Sequence, residues 1–156
     1  MLRHFSAKGM TTAIAIGWAA LTAPAFAEIV HQHSPHSVAV TMDRLEAAVI
    51  GAGATVFARI DHAAGATSID AELRPTELLI FGNPKLGTPA MQAAQTAGLD
   101  LPLRVLAYED ADGVVHVVYH TPATLVQDHG LPADAPYIAM MTGALSKLTG
   151  AAIAPE

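Results

Sequence analysis

The segment Phe81-Gly82-Asn83-Pro84-Lys85-Leu86-Gly87-Thr88-Pro89 decides how the rest of the chain is interpreted. It follows an apolar run, Glu77 to Phe81, that has the length of a strand, and it leads into a short helix predicted over Ala90–Ala97. Gly82 favours a sharp turn or a close approach, because it has no Cβ. Thr88-Pro89 is typical of an N-cap followed by the first helical residue. The sequence therefore predicts a strand, a stiff loop and a helix N-terminus.

Lys85 lies beside this predicted helix N-terminus and raises the question of an anion site. A helix N-terminus next to a cation can hold an anion. Pro84 and Pro89, however, lack the N–H groups that such a site would use. A rigid connection that fixes the angle between strand and helix is therefore the favoured interpretation of the loop.

The first 27 residues have the pattern of an export signal. Arg3 and Lys8 give a basic start. Ala13–Ala23 is mainly apolar but shorter than the ~20 residues that span a membrane. Ala25-Phe26-Ala27 is a small-x-small cleavage site. We expect residues 1–27 to be a signal peptide that is cleaved after Ala27, with retention as an anchor as the alternative. The mature protein is then expected in the periplasm without a stable membrane span.

The remaining composition is that of one acidic domain without disulfides. The 156-residue sequence contains no cysteine and carries 8 Lys and Arg against 14 Asp and Glu. Loss of Arg3 and Lys8 with the signal peptide leaves a formal net charge of −8. Such a charge repels a phosphate backbone, which argues against nucleic-acid binding. The length after cleavage suffices for one domain with a buried core.

Three histidines stand near the start of the mature sequence: His31, His33 and His36. Neutral imidazoles bind borderline metals such as copper, nickel and zinc, so metal handling is one hypothesis for this segment. The favoured alternative is a frayed, solvated leader over residues 28–36, because chain termini are usually poorly ordered. On this interpretation the folded domain covers 37–152, and 153–156 form a tail.

The spacing of apolar and turn residues predicts an alternation of strands and helices, with an antiparallel hairpin in the second half. The predicted elements are a short strand at Ser37–Val40, a helix at Met42–Ala52 capped by Thr41, a strand at Thr55–Asp61, a hairpin of Leu103–Glu109 and Val114–Thr121, a short helix opened by Thr121-Pro122 and ended by Gly130, and a last helix with the apolar stripe Ile138, Met141, Leu145 and Leu148.

Single histidines on the predicted strands are candidate functional groups. His62, at the end of a strand, has the chemistry of a general base or a metal ligand, although a lone histidine there more often caps a turn or bonds a backbone carbonyl. His116 and His120 share a face of one hairpin arm. They lie four positions apart, which is ~13 Å along the strand, so we do not predict that they chelate one ion.

Four parts of the sequence form a recognisable pattern: Asp61–Ala66, Leu73–Lys85, Leu101–Leu106 and Tyr119. Together they closely resemble the DUF302 family, a domain of unknown function, over about Val38 to Ala152. The resemblance implies a small α+β domain, with an antiparallel sheet packed against helices in a manner similar to the TATA-box-binding-protein-like fold, and a homodimer. It also implies a shared patch formed by His62, Phe81, Gly82, Asn83 and Pro84.

These observations favour a homodimeric periplasmic binding or accessory domain without catalysis and without a cofactor. We expect a small ligand near the strand ends, where pockets commonly form. One alternative is an enzyme that uses His62 as a general acid or base, with Asp61 or Tyr119 beside it. The other is metal handling through the three amino-terminal histidines. The candidate ligand-binding residues are His62, Phe81, Gly82, Asn83, Pro84, Lys85 and Tyr119.

Overall fold

The computed structural model describes residues 29–155, so the signal peptide predicted over 1–27 lies outside the described residues. Five strands form one sheet in which every neighbouring pair is antiparallel. The strands are β1 (Ile29–Ser34), β2 (Thr55–Asp61), β3 (Thr76–Gly82), β4 (Leu103–Glu109) and β5 (Val115–His120). Their order across the sheet is β1-β5-β4-β3-β2, which leaves β1 and β2 at the two edges.

Five α-helices connect and cover the strands. They are α1 (Val38–Gly51), α2 (His62–Thr67), α3 (Pro84–Ala93), α4 (Ala123–His129) and α5 (Pro136–Ala152), and a 3-10 turn covers Gln95–Leu99. Helices α1 and α5 pack against each other, and α1 also packs on β2, β3 and β4. The predicted fold class, an α+β domain with an antiparallel sheet packed against helices, is confirmed.

The main core lies between the sheet and the helix pair α1 and α5. Successive residues along each strand point to opposite faces of the sheet. In β5, for example, Val115, Val117 and Tyr119 are buried, whereas His116 and Val118 are half-buried on the outer face. The predicted apolar stripe of α5 is confirmed, since all four of its members are buried. The core residues are Val38, Met42, Leu45, Val49, Leu79, Phe81, Val105, Ala107, Val115, Val117, Tyr119, Leu145, Leu148 and Ala152.

Arg59 on β2 joins the sheet to α1 through carboxylates. Its Nε donates to Glu77 Oε2 on β3 at 2.6 Å. Its Nη1 donates to Asp43 Oδ1 at 2.6 Å and to Glu46 Oε2 at 3.3 Å, both on α1. The hydrogen bond to Glu77, followed by that to Asp43, raises the pKa of Arg59 above its ordinary range. Arg59 therefore stays charged and links two layers of the fold.

The segment predicted as a leader is a strand of the sheet. β1 pairs with β5 along its whole length, with His31 opposite Val118 and His33 opposite His116. The expectation that residues 28–36 lie outside the folded domain is therefore wrong. Backbone pairing with a strand more than eighty residues away orders this segment, and no local sequence pattern reports such a partner.

Helix α1 begins earlier than the sequence predicts. Ser37 is its N-cap, and the Ser37 Oγ accepts from the Val40 N–H at 3.3 Å. The short strand predicted at Ser37–Val40 is therefore wrong. Thr41, predicted as the cap, is instead buried inside the first turns. Its hydroxyl donates to the Ser37 carbonyl at 2.8 Å and lies 2.7 Å from the Ser34 hydroxyl.

Helix α3 also begins earlier than the sequence predicts, within the segment Phe81–Pro89. Asn83 is the N-cap, with its Oδ1 accepting from the Lys85 N–H at 2.9 Å, and Pro84 is the first helical residue. Pro89, predicted to open the helix, lies inside it. Both Asn83-Pro84 and Thr88-Pro89 have cap-and-proline chemistry. The earlier pair takes the role, and the helix tolerates the loss of one backbone hydrogen bond at Pro89.

Candidate ligand-binding cleft

A cleft of about 360 Å³ opens where β3 ends and β4 begins. Four separate parts of the chain form its walls: β2, the end of β3 together with α3, the start of β4 with the residues before it, and α5. The lining residues are Phe57, Gly82, Asn83, Pro84, Leu86, Gly87, Thr88, Met91, Leu101, Pro102, Leu103 and Met141. This volume lies at the lower end of the range of sites that take small organic molecules.

Gly82 leaves a narrow gap between two walls of the cleft at the end of β3. A Cβ at this position would lie 3.4 Å from the Pro102 Cβ and 3.5 Å from the Phe57 Cε2. These are ordinary contact distances, so the glycine leaves a narrow space between a proline ring and an aromatic ring. The turn that follows is fixed by the Asn83 cap and by Pro84. The loop therefore acts as a rigid wall.

Phe57 reaches the cleft because β2 is irregular. The β2–β3 register shifts between Val56 and Ala58, which leaves Phe57 without a partner on β3. Such bulges bend a strand and redirect a side chain. The Phe57 residue is 57% exposed, unusual for a phenylalanine, and its ring lies at the rim of the cleft.

The chemistry of the lining is mostly apolar. Leu86, Met91, Leu103 and Met141 supply aliphatic and thioether surface. Polar groups come from the Asn83 amide and the Thr88 hydroxyl, and none of the described lining residues carries a charge. Methionine side chains adapt to ligands of irregular shape. The cleft is therefore suited to a small, largely apolar molecule with one or two hydrogen-bonding groups.

Part of the predicted ligand-binding set lies at this cleft. Gly82, Asn83 and Pro84 line it. Lys85 is exposed on the first turn of α3, next to the cleft but outside its lining. Phe81 is 2% exposed and belongs to the core, because its side chain points to the opposite face of β3 from Gly82. The contribution of Phe81 is to packing beneath the site.

His62 lies at the other end of the sheet, so its predicted grouping with the Gly82 loop is wrong. Asp61 pairs with Glu77, whereas Thr55 pairs with Gly82. The five residue steps from Glu77 to Gly82 span about 17 Å of strand. His62 is exposed and begins α2. The sequence places both His62 and Gly82 at the end of a strand, but it does not show that these two ends lie on opposite sides of the sheet.

The groups proposed to assist His62 in an enzyme are also separated from it or already engaged. Tyr119 is 8% exposed in the core on β5, and β5 lies three strands from β2, about 14 Å across the sheet. The Asp61 carboxylate accepts from the Ala64 N–H at 2.9 Å and caps α2. A constellation of His62, Asp61 and Tyr119 is therefore not assembled.

The three amino-terminal histidines do not converge on one point. His31 and His33 share the outer face of β1, whereas the His36 Nε2 lies 2.9 Å from the Ala154 carbonyl oxygen. Within residues 29–155, no group of three or more His, Asp or Glu side chains is arranged to hold a metal ion. The predicted His31, His33 and His36 set is therefore wrong as a single site.

Several cleft residues were missed by sequence reasoning. The sequence singled out Leu101, Pro102 and Leu103 through the family resemblance and the predicted hairpin arm, and Met141 through the apolar stripe, and none of them was a candidate site residue. Phe57 carried the one usable signal, an aromatic side chain next to another apolar residue in an alternating strand. The remaining residues required knowledge of which segments meet in space.

The fold and the cleft define a class of protein, a small α+β domain with one antiparallel sheet and an apolar pocket at its end. A solved structure described as an uncharacterized conserved protein DUF302 from Bacillus stearothermophilus has this fold. It superposes with a TM-score of 0.63 at 17% sequence identity, over 80% of this chain and 94% of that chain. At this level of identity the comparison supports the fold alone.

The family described as "Domain of unknown function DUF302" matches residues 30–148. The chain belongs to the DUF302 family, as the sequence resemblance indicated. The match includes β1 from Val30 onwards, in agreement with the place of this strand in the sheet.

The curated relatives that match this chain are named as ion channels. Proteins named "Fluoride-specific ion channel FluC 1" from Brucella suis and Brucella abortus are 49% identical over 117 residues. The match covers 74% of this chain but 46% and 43% of the two relatives. The chain thus spans less than half the length of the curated relatives it matches. Across residues 29–155, none of the helices has the length and hydropathy needed to cross a membrane.

Proposed function

We propose that this DUF302 protein is a binding or accessory domain without catalysis that holds a small, mostly apolar molecule in the cleft beside Gly82. The observation that carries the proposal is the pocket itself, about 360 Å³ of largely apolar lining with the Asn83 amide and Thr88 hydroxyl at its polar positions. Apolar surface gives such a ligand its affinity, and a few polar groups fix its orientation.

The cleft offers a position at which it can be blocked with little disturbance. Gly87 lies in α3 and lines the cleft, and a Cβ there meets only the Met91 Cε, at 3.9 Å. Gly87→Leu adds a branched side chain at the pocket and also favours the helix. Gly65→Leu is the matched control, because Gly65 is helical, a Cβ there meets nothing within 4 Å, and it lies away from the cleft.

The test is a titration with N-phenyl-1-naphthylamine, a neutral apolar fluorescent probe. Gly87→Leu is expected to weaken binding by about tenfold or more, equivalent to about 1.4 kcal/mol, whereas Gly65→Leu should leave it unchanged. Equal binding by all three proteins, or no saturable binding by the wild type, would reject the cleft as a ligand site.

The partial match to the Brucella relatives supports the proposal of an accessory role. A domain that accounts for under half of a longer relative is consistent with a module that serves a larger protein. Fluoride is a poor candidate ligand for the cleft, because a small, strongly hydrated anion requires cationic or N–H groups that an apolar lining does not supply. The cleft is therefore assigned to an apolar ligand.

We also propose that two copies pair through the outer face of the sheet. Aliphatic residues that face away from the helices lie side by side on four neighbouring strands: Ile60, Leu78, Leu106 and Val118. An outward-facing row on an antiparallel sheet is usually polar when it faces water. Five strands of about 20 Å cover roughly 24 by 20 Å, so two copies would bury on the order of 1,000 Å², the lower size of a specific interface.

Sedimentation velocity tests the pairing. Ile60→Lys, at a residue 38% exposed on the edge strand, and Leu106→Lys, at the centre of the row, are expected to give monomers. Val40→Lys, at an exposed position on α1, is the control and should leave the dimer intact. A monomeric wild type, or a dimer that survives both lysines, would contradict this arrangement.

We propose a periplasmic location, because residues 1–27 have the sequence pattern of an export signal. Mass spectrometry of the protein recovered from a periplasmic extract is expected to give a chain that begins at Glu28. Recovery of the full-length chain in the membrane fraction would instead favour a retained anchor.

A further inference from the structure

The outer face of the sheet carries a pair of histidines directly opposite each other. His33 on β1 pairs with His116 on β5. Their ring centroids are 4.8 Å apart, with the ring planes at 51°. Two imidazoles that bind one ion at about 2.0–2.1 Å place their centroids roughly 4.5–5.2 Å apart at coordination angles of about 90–110°. The centroid separation therefore permits a shared ion once the exposed His33 ring turns a nitrogen toward the His116 ring, and strand pairing alone sets a similar spacing.

Asp110 holds the second of these rings in a form that can bind a metal. Its Oδ2 lies 2.6 Å from the His116 Nε2. Because an ionised carboxylate accepts, Nε2 carries the proton of the neutral ring and Nδ1 keeps its lone pair. The Asp110 carboxylate thus keeps the Nε2 edge of the ring turned toward the β4–β5 turn and leaves the Nδ1 edge available. A carboxylate behind a metal-binding histidine is a recurrent second layer of metal sites.

The surroundings of the pair fix its geometry further. Tyr108 stacks on His116 with ring centroids 5.0 Å apart and planes at 17°. The Asp110 Oδ1 accepts from the N–H groups of Asp112 and Val114, each at 2.9 Å, which anchors the carboxylate in the β4–β5 turn. The His116 side chain is 15% exposed, and His33 is exposed. One ligand is thus preorganised, and the other is accessible in a single copy. In the proposed dimer this face meets a second copy, so the site is also tested in the monomeric Ile60→Lys variant.

We infer that His33 and His116 form an open two-histidine site for a divalent transition-metal ion of the copper, nickel or zinc class, with water in the remaining positions. Imidazole is a preferred ligand for these ions. The site is distinct from the predicted set of His31, His33 and His36, because its second ligand comes from β5. It is also distinct from the apolar cleft, which lies at the other end of the strands.

The test uses Cu²⁺ and the full chain, with calorimetric titration for affinity and electron paramagnetic resonance for the number of bound nitrogens. His33→Ala and His116→Ala are each expected to weaken binding by at least about tenfold, since even the loss of an outer carboxylate partner costs about 10–100-fold. Asp110→Asn should therefore weaken binding as well. The wild-type spectrum should show two equatorial nitrogens.

His120→Ala and His62→Ala are the matched controls. His120 shares the strand and face of His116 but lies four residues away, and His62 is exposed at the far edge of the sheet. Both should bind Cu²⁺ as the wild type does. Circular dichroism checks that each variant is folded. Because His33 is exposed, His33→Ala is expected to keep the fold. Repeating the titration on Ile60→Lys removes any effect of a second copy on this face.

Two results would overturn the inference. Equal small losses for every histidine variant would indicate adventitious binding only. Loss of binding on His31→Ala and His36→Ala, with His33→Ala and His116→Ala unaffected, would place the ion at the amino-terminal segment instead.

Discussion

The link between Arg59 and Glu77 gives a prediction about stability that depends on the burial of each partner. The Arg59 side chain is 27% exposed and the Glu77 side chain 15%, whereas Asp43, the other close partner of Arg59, is 67% exposed. Arg59→Met keeps the apolar stem of the side chain but leaves the Glu77 carboxylate in a partly buried place without its donor. A buried group that loses its partner costs about 1–3 kcal/mol.

We therefore expect Arg59→Met to lower the free energy of unfolding by about 2 kcal/mol, less than the 3–5 kcal/mol known for fully buried pairs. Asp43→Asn, which breaks the exposed half of the same network, should cost under about 0.5 kcal/mol. Urea unfolding followed by far-ultraviolet circular dichroism measures both values. The contrast between the two variants separates the effect of burial from the presence of an ion pair.

A double mutant tests whether the unpaired Glu77 carboxylate is the cause of the lost stability. Arg59→Met combined with Glu77→Leu removes both charges, and it should recover much of the stability lost in Arg59→Met because no unpaired carboxylate remains. Additive losses in the double mutant, or an Arg59→Met variant as stable as Asp43→Asn, would refute the reasoning that an unpaired Glu77 is the source of the cost.

Two further predictions concern the core and the response to acid. Leu45→Ala, at a residue 0% exposed on α1, should cost about 2–5 kcal/mol in urea unfolding, whereas Ile50→Ala, 60% exposed on the same helix, should change stability by under about 0.5 kcal/mol; similar losses for both would contradict the assigned core. Asp100 Oδ2 lies 2.7 Å from the His129 Nε2, and this hydrogen bond lowers the pKa of Asp100 below its ordinary value. The pair therefore stabilises the fold above about pH 3.8, and that contribution is lost as the pH falls through the lower folded-state pKa. Asp100→Asn should show a shallower loss of thermal stability below pH 4 than the wild type, and parallel curves would exclude the pair as the cause.

Local patterns were sufficient for much of the fold. Alternating apolar residues predicted β2 at its observed bounds, and the polar turn around Gly113 predicted the β4–β5 hairpin. The stripe of α5 predicted its buried face. These elements depend on side-chain periodicity and turn chemistry, which are properties of a short window of sequence.

Two cap-and-proline pairs show the limit of such local rules. Asn83-Pro84 and Thr88-Pro89 both satisfy the chemistry of a helix start. Packing of Leu86 and Met91 against the buried cluster that contains Ile138 and Met141 of α5 favours a helix that begins at Pro84 and continues through Pro89. The gain from burying that apolar face exceeds the cost of the proline, and this balance is not visible in the sequence.

The sequence by itself determined the fold class, the family, the position of most strands and the Gly82–Pro84 wall of the cleft. Tertiary structure alone decided that Phe57 and Met141 complete the cleft, that His62 lies at the opposite end of the sheet, and that His33 faces His116. The reason is physical: periodicity and caps act over a few neighbouring residues, whereas a pocket or a histidine pair depends on strand order and register. Those are set by the packing of the whole sheet against its helices.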